Sequence, residues 1–120
     1  MSKSSSNAVV IEPRFRINAG RRLAFGPGKA ELLAHIDRTG SIAEAARAMD
    51  MSYMRAWTLV KSLDRAFAEP LVLKVRGGPT QGASLTPTGR AVLELYQGLT
   101  AQTAAATEAA RQRLAGLLKD

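Results

Sequence analysis

The chain has 120 residues, of which 46% are hydrophobic and 22% are charged, and this composition predicts a folded protein with room for one compact core. Seventeen Lys and Arg against ten Asp and Glu give a formal net charge of +7, which favours a polyanionic partner such as nucleic acid. The absence of cysteine excludes disulfides, thiolate nucleophiles and thiolate metal sites, and no apolar run in the sequence is long enough to cross a bilayer. We therefore expect a cytoplasmic protein that does not enter membranes.

The amino-terminal segment differs in composition from the rest of the chain. Residues 1–8 are rich in serine and are predicted to form a disordered tail. Residues 9–17 are rich in β-branched residues, a turn signal follows at 18–20, and a second extended run covers 21–25. This pattern predicts a small β-hairpin. We interpret its arginines as a solvated face in preference to nucleic-acid contacts; they are Arg14, Arg16, Arg21 and Arg22.

Three helices are predicted next, at residues 28–38, 41–49 and 52–67, and together they form a trihelical core. The second helix begins with the pattern of a capping box. In such a box the Ser41 side chain accepts the backbone N–H of Glu44, and the glutamate side chain accepts the N–H of Ser41. The second and third helices, separated by a short break, have the pattern of a helix-turn-helix.

The third helix has two different sides. An apolar stripe repeats at helical period and contains Tyr53, Ala56, Trp57, Val60, Leu63 and Phe67. We interpret Trp57 as a core residue, because large aromatics dominate small cores. The opposite side carries donors and cations of the kinds that read base edges and hold phosphates, namely Arg55, Thr58, Lys61, Ser62 and Arg65, with Met54 beside them. A solvated face that binds nothing is the alternative, which the ordered capping and the short break disfavour.

A second hairpin is predicted directly after the helix-turn-helix. Residues 71–76 are β-prone, 77–82 form a glycine-rich loop, and 83–85 form a short return strand. This is the position of the wing in winged-helix proteins. A glycine-rich loop can also hold nucleotide phosphates, but no Gly-Lys-Ser or Gly-Lys-Thr follows this one, so a nucleotide site is not expected.

The last helix is predicted to begin at Thr86-Pro87 and to continue without a strong break to Leu118. A helix of about 30 residues extends roughly 45 Å, which is farther than the trihelical core can cover. Because the outer half of this helix needs another partner, we predict that it dimerises with the same helix of a second copy of the chain. A fraying Ala-rich tail is the alternative. The expected dimer seam repeats every three or four residues and contains Val92, Tyr96, Leu99, Thr103, Ala106, Ala110, Leu114 and Leu117.

Several of these residues together resemble a known DNA-binding domain. They are Gly40-Ser41-Ile42, Ala45-Ala46, Met51-Ser52-Tyr53, Ala56-Trp57, Leu71-Val72, Gly77-Gly78 and Leu85-Thr86 with Gly89. The pattern is similar to the amino-terminal domain of ModE-type molybdate-responsive regulators and, more loosely, to the LysR-type winged helix. Members of the ModE type continue into carboxy-terminal domains that bind molybdate, so molybdate binding is not expected from this chain alone.

The expected architecture is mainly α with small β-hairpins: a winged helix-turn-helix at 9–85 that includes the amino-terminal hairpin, and a long dimerisation helix at 86–120. The resemblance implies a transcriptional regulator that binds double-stranded DNA as a homodimer, with the helix from Ser52 in the major groove. Its amino-terminal residues are expected to read base edges, and Lys61, Lys74 and Arg76 to hold phosphates. The full set of expected DNA-binding residues is Ser41, Ser52, Tyr53, Met54, Arg55, Thr58, Lys61, Ser62, Lys74, Arg76, Gly78, Thr80 and Gln81.

Two other classes of function are weighed against DNA binding. The first is a protein-interaction module that heterodimerises through the long helix without binding DNA. The second is an enzyme, which we do not expect, because no acid or nucleophile is placed by motif near His35, the only histidine. No cofactor or metal ion is expected either.

Overall fold

The computed structural model describes residues 8–75 and 82–119, and these form five helices and two small antiparallel hairpins. The elements in chain order are β1 (Ile17–Ala19), β2 (Arg22–Phe25), α1 (Pro27–Thr39), α2 (Ile42–Ala48), α3 (Tyr53–Ala66), β3 (Val72–Val75), β4 (Gly82–Leu85), α4 (Pro87–Ala106) and α5 (Glu108–Leu117). Strand β1 pairs with β2, and β3 pairs with β4. A trihelical unit followed by such a hairpin is a winged helix-turn-helix, so the predicted fold class is confirmed. Except for Ala8, the predicted tail lies outside the described residues.

Serine side chains define where the two helices of the helix-turn-helix begin. Ser41 Oγ accepts the backbone N–H of Glu44 at 3.1 Å, and Ser52 Oγ accepts that of Arg55 at 3.1 Å. Each bond satisfies an N–H group that has no partner inside the first turn of its helix. Helices α2 and α3 therefore begin within one residue of their predicted starts.

The capping box predicted at the start of α2 is only half formed. The Glu44 carboxylate accepts a hydrogen bond from Arg47 Nη1 at 2.6 Å, and the N–H of Ser41 donates to Thr39 Oγ1 at 3.3 Å. The predicted bond from the Ser41 N–H to the glutamate is wrong, because each of the two groups has another partner close by.

The turn between α2 and α3 depends on one unusual backbone conformation. Asp50 has a φ of 56°, in the left-handed region that aspartate adopts more readily than most residues. The N–H of Met51 then donates to the carbonyl of Ala46 at 3.0 Å, which closes the turn. Ala45 and Ala46 are buried, and their small side chains leave room for α3 to lie close to α2.

The hydrophobic core lies between the first three helices and extends to an aromatic cluster. Phe25 is fully buried, and its ring meets those of Phe67 and Tyr96 edge to face, with centroid distances of 5.9 and 5.0 Å. Aromatic pairs in this geometry add stability beyond the burial of their area. The cluster therefore joins the first hairpin to both α3 and α4. Fully buried residues that the helices add to the core are Leu32, Leu33, Ile36, Ala45, Ala56 and Leu63.

The junction between the second hairpin and α4 brings two backbones unusually close. The Thr86 N–H donates to Leu71 O at 3.0 Å, and Thr86 Oγ1 accepts the N–H of Gly89 at 2.9 Å to cap α4. A Cβ atom at position 89 would lie 2.1 Å from Leu71 O, so only glycine fits there. The Leu-Thr-x-x-Gly pattern at 85–89 is thus required by the docking of α4 against the hairpin.

The predicted first strand at 9–17 is wrong over most of its length. Strand β1 begins at Ile17, and the residues before it run along the last two helices without strand pairing. Tyr96 Oη donates to the carbonyl of Phe15 at 2.6 Å, and Arg111 Nη1 donates to that of Ile11 at 3.4 Å. These carbonyls bond to side chains of helices that come much later in the chain, and Pro13 has no N–H to offer a neighbouring strand.

The prediction of one unbroken last helix is also wrong, because α4 ends at Ala106 and α5 begins at Glu108. The Thr107 hydroxyl donates to Thr103 O at 2.7 Å and accepts from Arg111 Nε at 3.1 Å, while Arg111 Nη2 donates to the carbonyl of Ala104. Side-chain hydrogen bonds of this kind compete with the helical backbone pattern. No helix in the described part of the chain is long and apolar enough to span a membrane.

Candidate nucleic-acid interface

The first turns of α3 present exposed side chains beside the helix-turn-helix break. Tyr53 is 45% exposed and Met54 66%, and Arg55 and Thr58 are also exposed. The Arg55 guanidinium makes no hydrogen bond or ion pair within the described ranges 8–75 and 82–119, so its five N–H donors are available to a ligand. This surface has both the donors and the access that reading base edges requires.

The hydroxyl groups near α3 are partly committed to the helix itself. Ser52 Oγ accepts the capping bond from Arg55, Thr58 Oγ1 donates to Met54 O at 2.9 Å, and Ser62 Oγ donates to Leu59 O at 2.6 Å. Ser62 is half-buried, whereas Ser52 and Thr58 are exposed. These two therefore keep a lone pair or a hydroxyl that a ligand can reach, while Ser62 is less accessible than the sequence suggests.

A stacked group of side chains connects the second hairpin to α3. The rings of Tyr53 and Trp57 stack with centroids 6.5 Å apart and an interplanar angle of 16°. Lys74 Nζ on β3 lies 3.3 Å from the centroid of the Trp57 ring, and Lys61 Nζ lies 5.6 Å from it. A cation over an indole ring is stabilising by about 0.5–1 kcal/mol at an exposed site. Trp57 therefore packs on the core with part of its surface and holds the Lys74 cation beside α3 with another.

Lys61 and Ser41, two of the expected DNA-binding residues, each have a partner within the protein. Lys61 Nζ lies 3.9 Å from the Asp64 carboxylate, which offsets part of its charge. Ser41 caps α2 and is half-buried, so its hydroxyl has a structural partner already. Four expected contacts fall outside the described residues; they are Arg76, Gly78, Thr80 and Gln81.

An open groove at the helix-turn-helix break is a feature that the sequence alone did not indicate. Its volume is about 470 Å³, and Arg47 and Asp50 line it together with the start of α3 and a wall of small residues from α2. Arg47 is exposed and borders the groove, although the sequence analysis did not select it. The spacing between Arg47 and Ser52 in the sequence does not indicate a shared groove, because the turn between α2 and α3 brings both residues to its lining.

A group of cations lies at the far end of α3, against the first hairpin. Lys29 is buried, and its Nζ donates to Leu23 O at 3.0 Å and to Ala24 O at 3.5 Å. Burial lowers the pKa of Lys29, and the nearby cations Arg22 and Arg65 lower it further. The hairpin, α1 and α3 thus bring three positive charges into one region.

The residues of the expected dimer seam divide into two groups. Tyr96 is only 7% exposed and belongs to the core of its own chain, and Val92 also packs against that core. Burial raises the pKa of the Tyr96 hydroxyl, which agrees with its internal position. The second group is exposed, and its large apolar members are Leu99, Leu114 and Leu117; Leu95, which is not a seam residue, is exposed as well. Thr103 is half-buried, and Ala106 and Ala110 are exposed.

His35 has neighbours typical of a helix surface. Its Nδ1 is hydrogen-bonded to Arg38, and its Nε2 lies 4.0 Å from the Glu31 carboxylate one turn earlier. Across residues 8–75 and 82–119, no group of three or more His, Cys, Asp or Glu residues is placed to hold a metal ion.

Comparison with the sequences of known proteins identifies a family. Residues 28–90 match the family described as bacterial regulatory helix-turn-helix protein, lysR family. Molybdenum transport protein ModE of Azotobacter vinelandii is 34% identical over 92 residues, which cover 76% of this chain and 34% of that protein. Molybdenum-pterin-binding protein MopB of Rhodobacter capsulatus is 40% identical over 80 residues, covering 66% of this chain and 30% of MopB. Transcriptional regulator ModE of Yersinia pestis is 35% identical over 77 residues, covering 63% of this chain and 29% of that protein.

A solved structure shares the fold. The full-length LTTR LysG from Corynebacterium glutamicum, with bound effector Arg, superposes with a TM-score of 0.57 at 24% sequence identity, over 78% of this chain and 30% of that one. At this identity the likeness concerns the fold alone. The chain spans about a third of the length of the curated relatives that it matches.

Proposed function

The chain belongs to the lysR family of bacterial regulatory helix-turn-helix proteins, and from this premise we propose that it binds double-stranded DNA sequence-specifically and regulates transcription. The observation that carries the proposal is the outer face of α3, where Arg55 is exposed and its guanidinium has no hydrogen bond or ion pair among the described residues. The paired N–H donors of the Arg55 guanidinium suit the two acceptors, O6 and N7, on the major-groove edge of guanine. Relatives named as transcriptional regulators support the same function.

The side chains around Arg55 are proposed to have two roles, which are contact with base edges and contact with phosphates. In this proposal Tyr53, Met54 and Arg55 approach base edges, because recognition helices read mainly with their amino-terminal residues. Lys61 and Lys74 lie farther from the first turn and hold phosphates, which adds affinity without sequence information. We also propose that the glycine-rich loop contacts the neighbouring groove or backbone through Arg76, Gly78, Thr80 and Gln81.

We propose further that two copies associate through their last helices. Leu117 is 82% exposed and Leu114 is 54% exposed, and both follow Leu99 along the same pair of helices. Apolar side chains exposed in a row are typical of a surface that a partner covers. A twofold dimer would present two α3 helices to DNA, as in other helix-turn-helix proteins. Because the function requires access to cellular DNA, we also propose a cytoplasmic location.

The experiment that tests this function is selection of binding sites from a pool of random duplexes, followed by titration of the selected and a scrambled duplex at two salt concentrations. We expect enrichment of one sequence pattern and a steep loss of affinity at the higher salt, because bound cations release counterions from the duplex. Recovery of no pattern, together with salt-insensitive or absent binding, would overturn the proposal. Self-association or partner binding without DNA binding would then favour the interaction module.

A further inference from the structure

The cations at the far end of α3 come from three separate elements. Arg22 begins β2, Lys29 lies in the first turns of α1, and Arg65 lies in the last turn of α3. The Lys29 ammonium is fixed by two carbonyls of β2, so it cannot move away from the other two charges. Arg22 and Arg65 are both exposed, and their positive charges lie near enough to Lys29 to lower its pKa.

No carboxylate in the part of the chain that the structure describes is paired with this cation cluster. Some other surface cations are paired, among them Arg47 with Glu44 and Arg90 with Asp37. By contrast, none of the three cluster residues forms an ion pair with any residue in the described ranges. Bringing three like charges together without a carboxylate disfavours the folded state, and an external anion would relieve that repulsion.

The cluster also lies on the same side of the helix as the reading residues. Arg65 follows Thr58 by seven residues, which is two helical turns, so the two side chains share one face of α3. Arg65 is ten residues beyond Arg55, or about 15 Å along the helix axis. This separation exceeds the width of the major groove, about 12 Å, which suits a phosphate contact by Arg65 when Arg55 contacts bases.

We propose that Arg22 and Arg65 form a second phosphate-binding surface, which holds the backbone of the duplex beyond the bases that the first turn of α3 reads. This inference rests on the proposed function and extends it to the first hairpin. Lys29 acts as a positioning residue, since it ties β2 to α1 and thereby fixes where Arg22 lies. The hairpin arginine is thus assigned a DNA contact in place of the solvated face expected from the sequence.

The test measures how the affinity for a mixed-sequence duplex depends on salt, for the full chain and for three variants. In the double variant Arg22→Gln/Arg65→Gln, the slope of log K against log salt is expected to fall in magnitude by nearly 2, because each phosphate contact contributes about 0.9. The variant Arg113→Gln is the matched control, because this exposed α5 cation lies outside the cluster. The variant Arg22→Lys/Arg65→Lys keeps both charges and should keep the slope.

Three outcomes separate this inference from the function on which it rests. An unchanged slope in the double Gln variant, with normal binding by the wild type, would overturn the second surface and leave DNA binding intact. Failure of the wild type to bind any duplex would overturn the proposed function itself. If the double variant does not fold, the single variants decide the matter: each should lower the slope by about 0.9, and two unchanged slopes would overturn the inference.

Discussion

Replacing Gly89 by alanine should destabilise the protein more than any other single methyl addition to α4. The new Cβ would lie 2.1 Å from Leu71 O and 2.9 Å from Leu71 C, and both are backbone atoms that cannot rotate away. The helix and the hairpin would have to separate by at least about 1.3 Å to reach an ordinary van der Waals contact. That movement strains the Thr86 cap as well, so we expect a loss of about 2–4 kcal/mol, from overpacking and from a weakened N-cap.

The assay is thermal and urea unfolding followed by circular dichroism, with Gly98→Ala as the matched control. At roughly 4 °C per kcal/mol, Gly89→Ala should lower the Tm by about 10 °C. Gly98 lies in the interior of α4, where the nearest atom to an added Cβ is Gln102 Nε2 at 3.9 Å. Alanine there should stabilise the helix by about 0.5–1 kcal/mol. Equal small effects of the two substitutions would refute the close approach of α4 to Leu71.

Three further predictions concern single contacts. Tyr96→Phe removes the donor to a main-chain carbonyl and should cost about 1 kcal/mol in urea unfolding, whereas Tyr53→Phe should cost almost nothing; equal effects would contradict this. Hydrogen bonds from Arg90 hold the pKa of Asp37 below its ordinary value of 3.8, so the stability lost in Asp37→Asn should be present at neutral pH and vanish as the pH falls through the folded-state pKa. A difference from wild type that persists in acid would exclude this origin. Leu117→Glu should shift the chain towards monomer in sedimentation velocity without changing its circular dichroism, and an unchanged sedimentation coefficient would count against the dimer helix.

The parts of the fold that short-range chemistry decides were predictable from the sequence. Ser41 and Ser52 accept bonds from residues only three positions later, so both helix starts follow from local spacing. The Leu-Thr-x-x-Gly pattern and the residues around Trp57 indicated the family, and the match over residues 28–90 confirms that resemblance. The predicted mainly α fold with two hairpins is also confirmed.

The errors occurred where distant residues decide the local structure. At the break, the Arg111 guanidinium bonds Thr107 Oγ1 and also reaches the carbonyl of Ile11, 100 residues away in sequence. Tyr96 has the spacing of a dimer seam, but its hydroxyl reaches Phe15, 81 residues away, and its ring joins the core. Helical periodicity shows that such a residue lies on an apolar face and cannot show which partner covers that face.

The candidate interface was predictable as a helix face and not as a set of contacts. Spacing placed Arg55 and Thr58 on the outer side of α3, where the structure has them. The position of Lys74 over the Trp57 ring could not be predicted, because β3 and α3 meet only after the chain folds. The effect of Arg22 and Arg65 on the pKa of Lys29 is another such case, since it requires the hairpin to fold back on two helices.

The most direct test of sequence-specific binding through α3 is a pair of affinity measurements on Arg55→Ala, with the selected duplex and with a scrambled duplex of equal length. Loss of a bidentate base contact should reduce the preference for the selected duplex by about 1–3 kcal/mol. Lys61→Ala serves as the comparison and should weaken binding to both duplexes alike, as expected for a phosphate contact. Equal losses on the two duplexes for Arg55→Ala would contradict the assignment of this face of α3 to base reading.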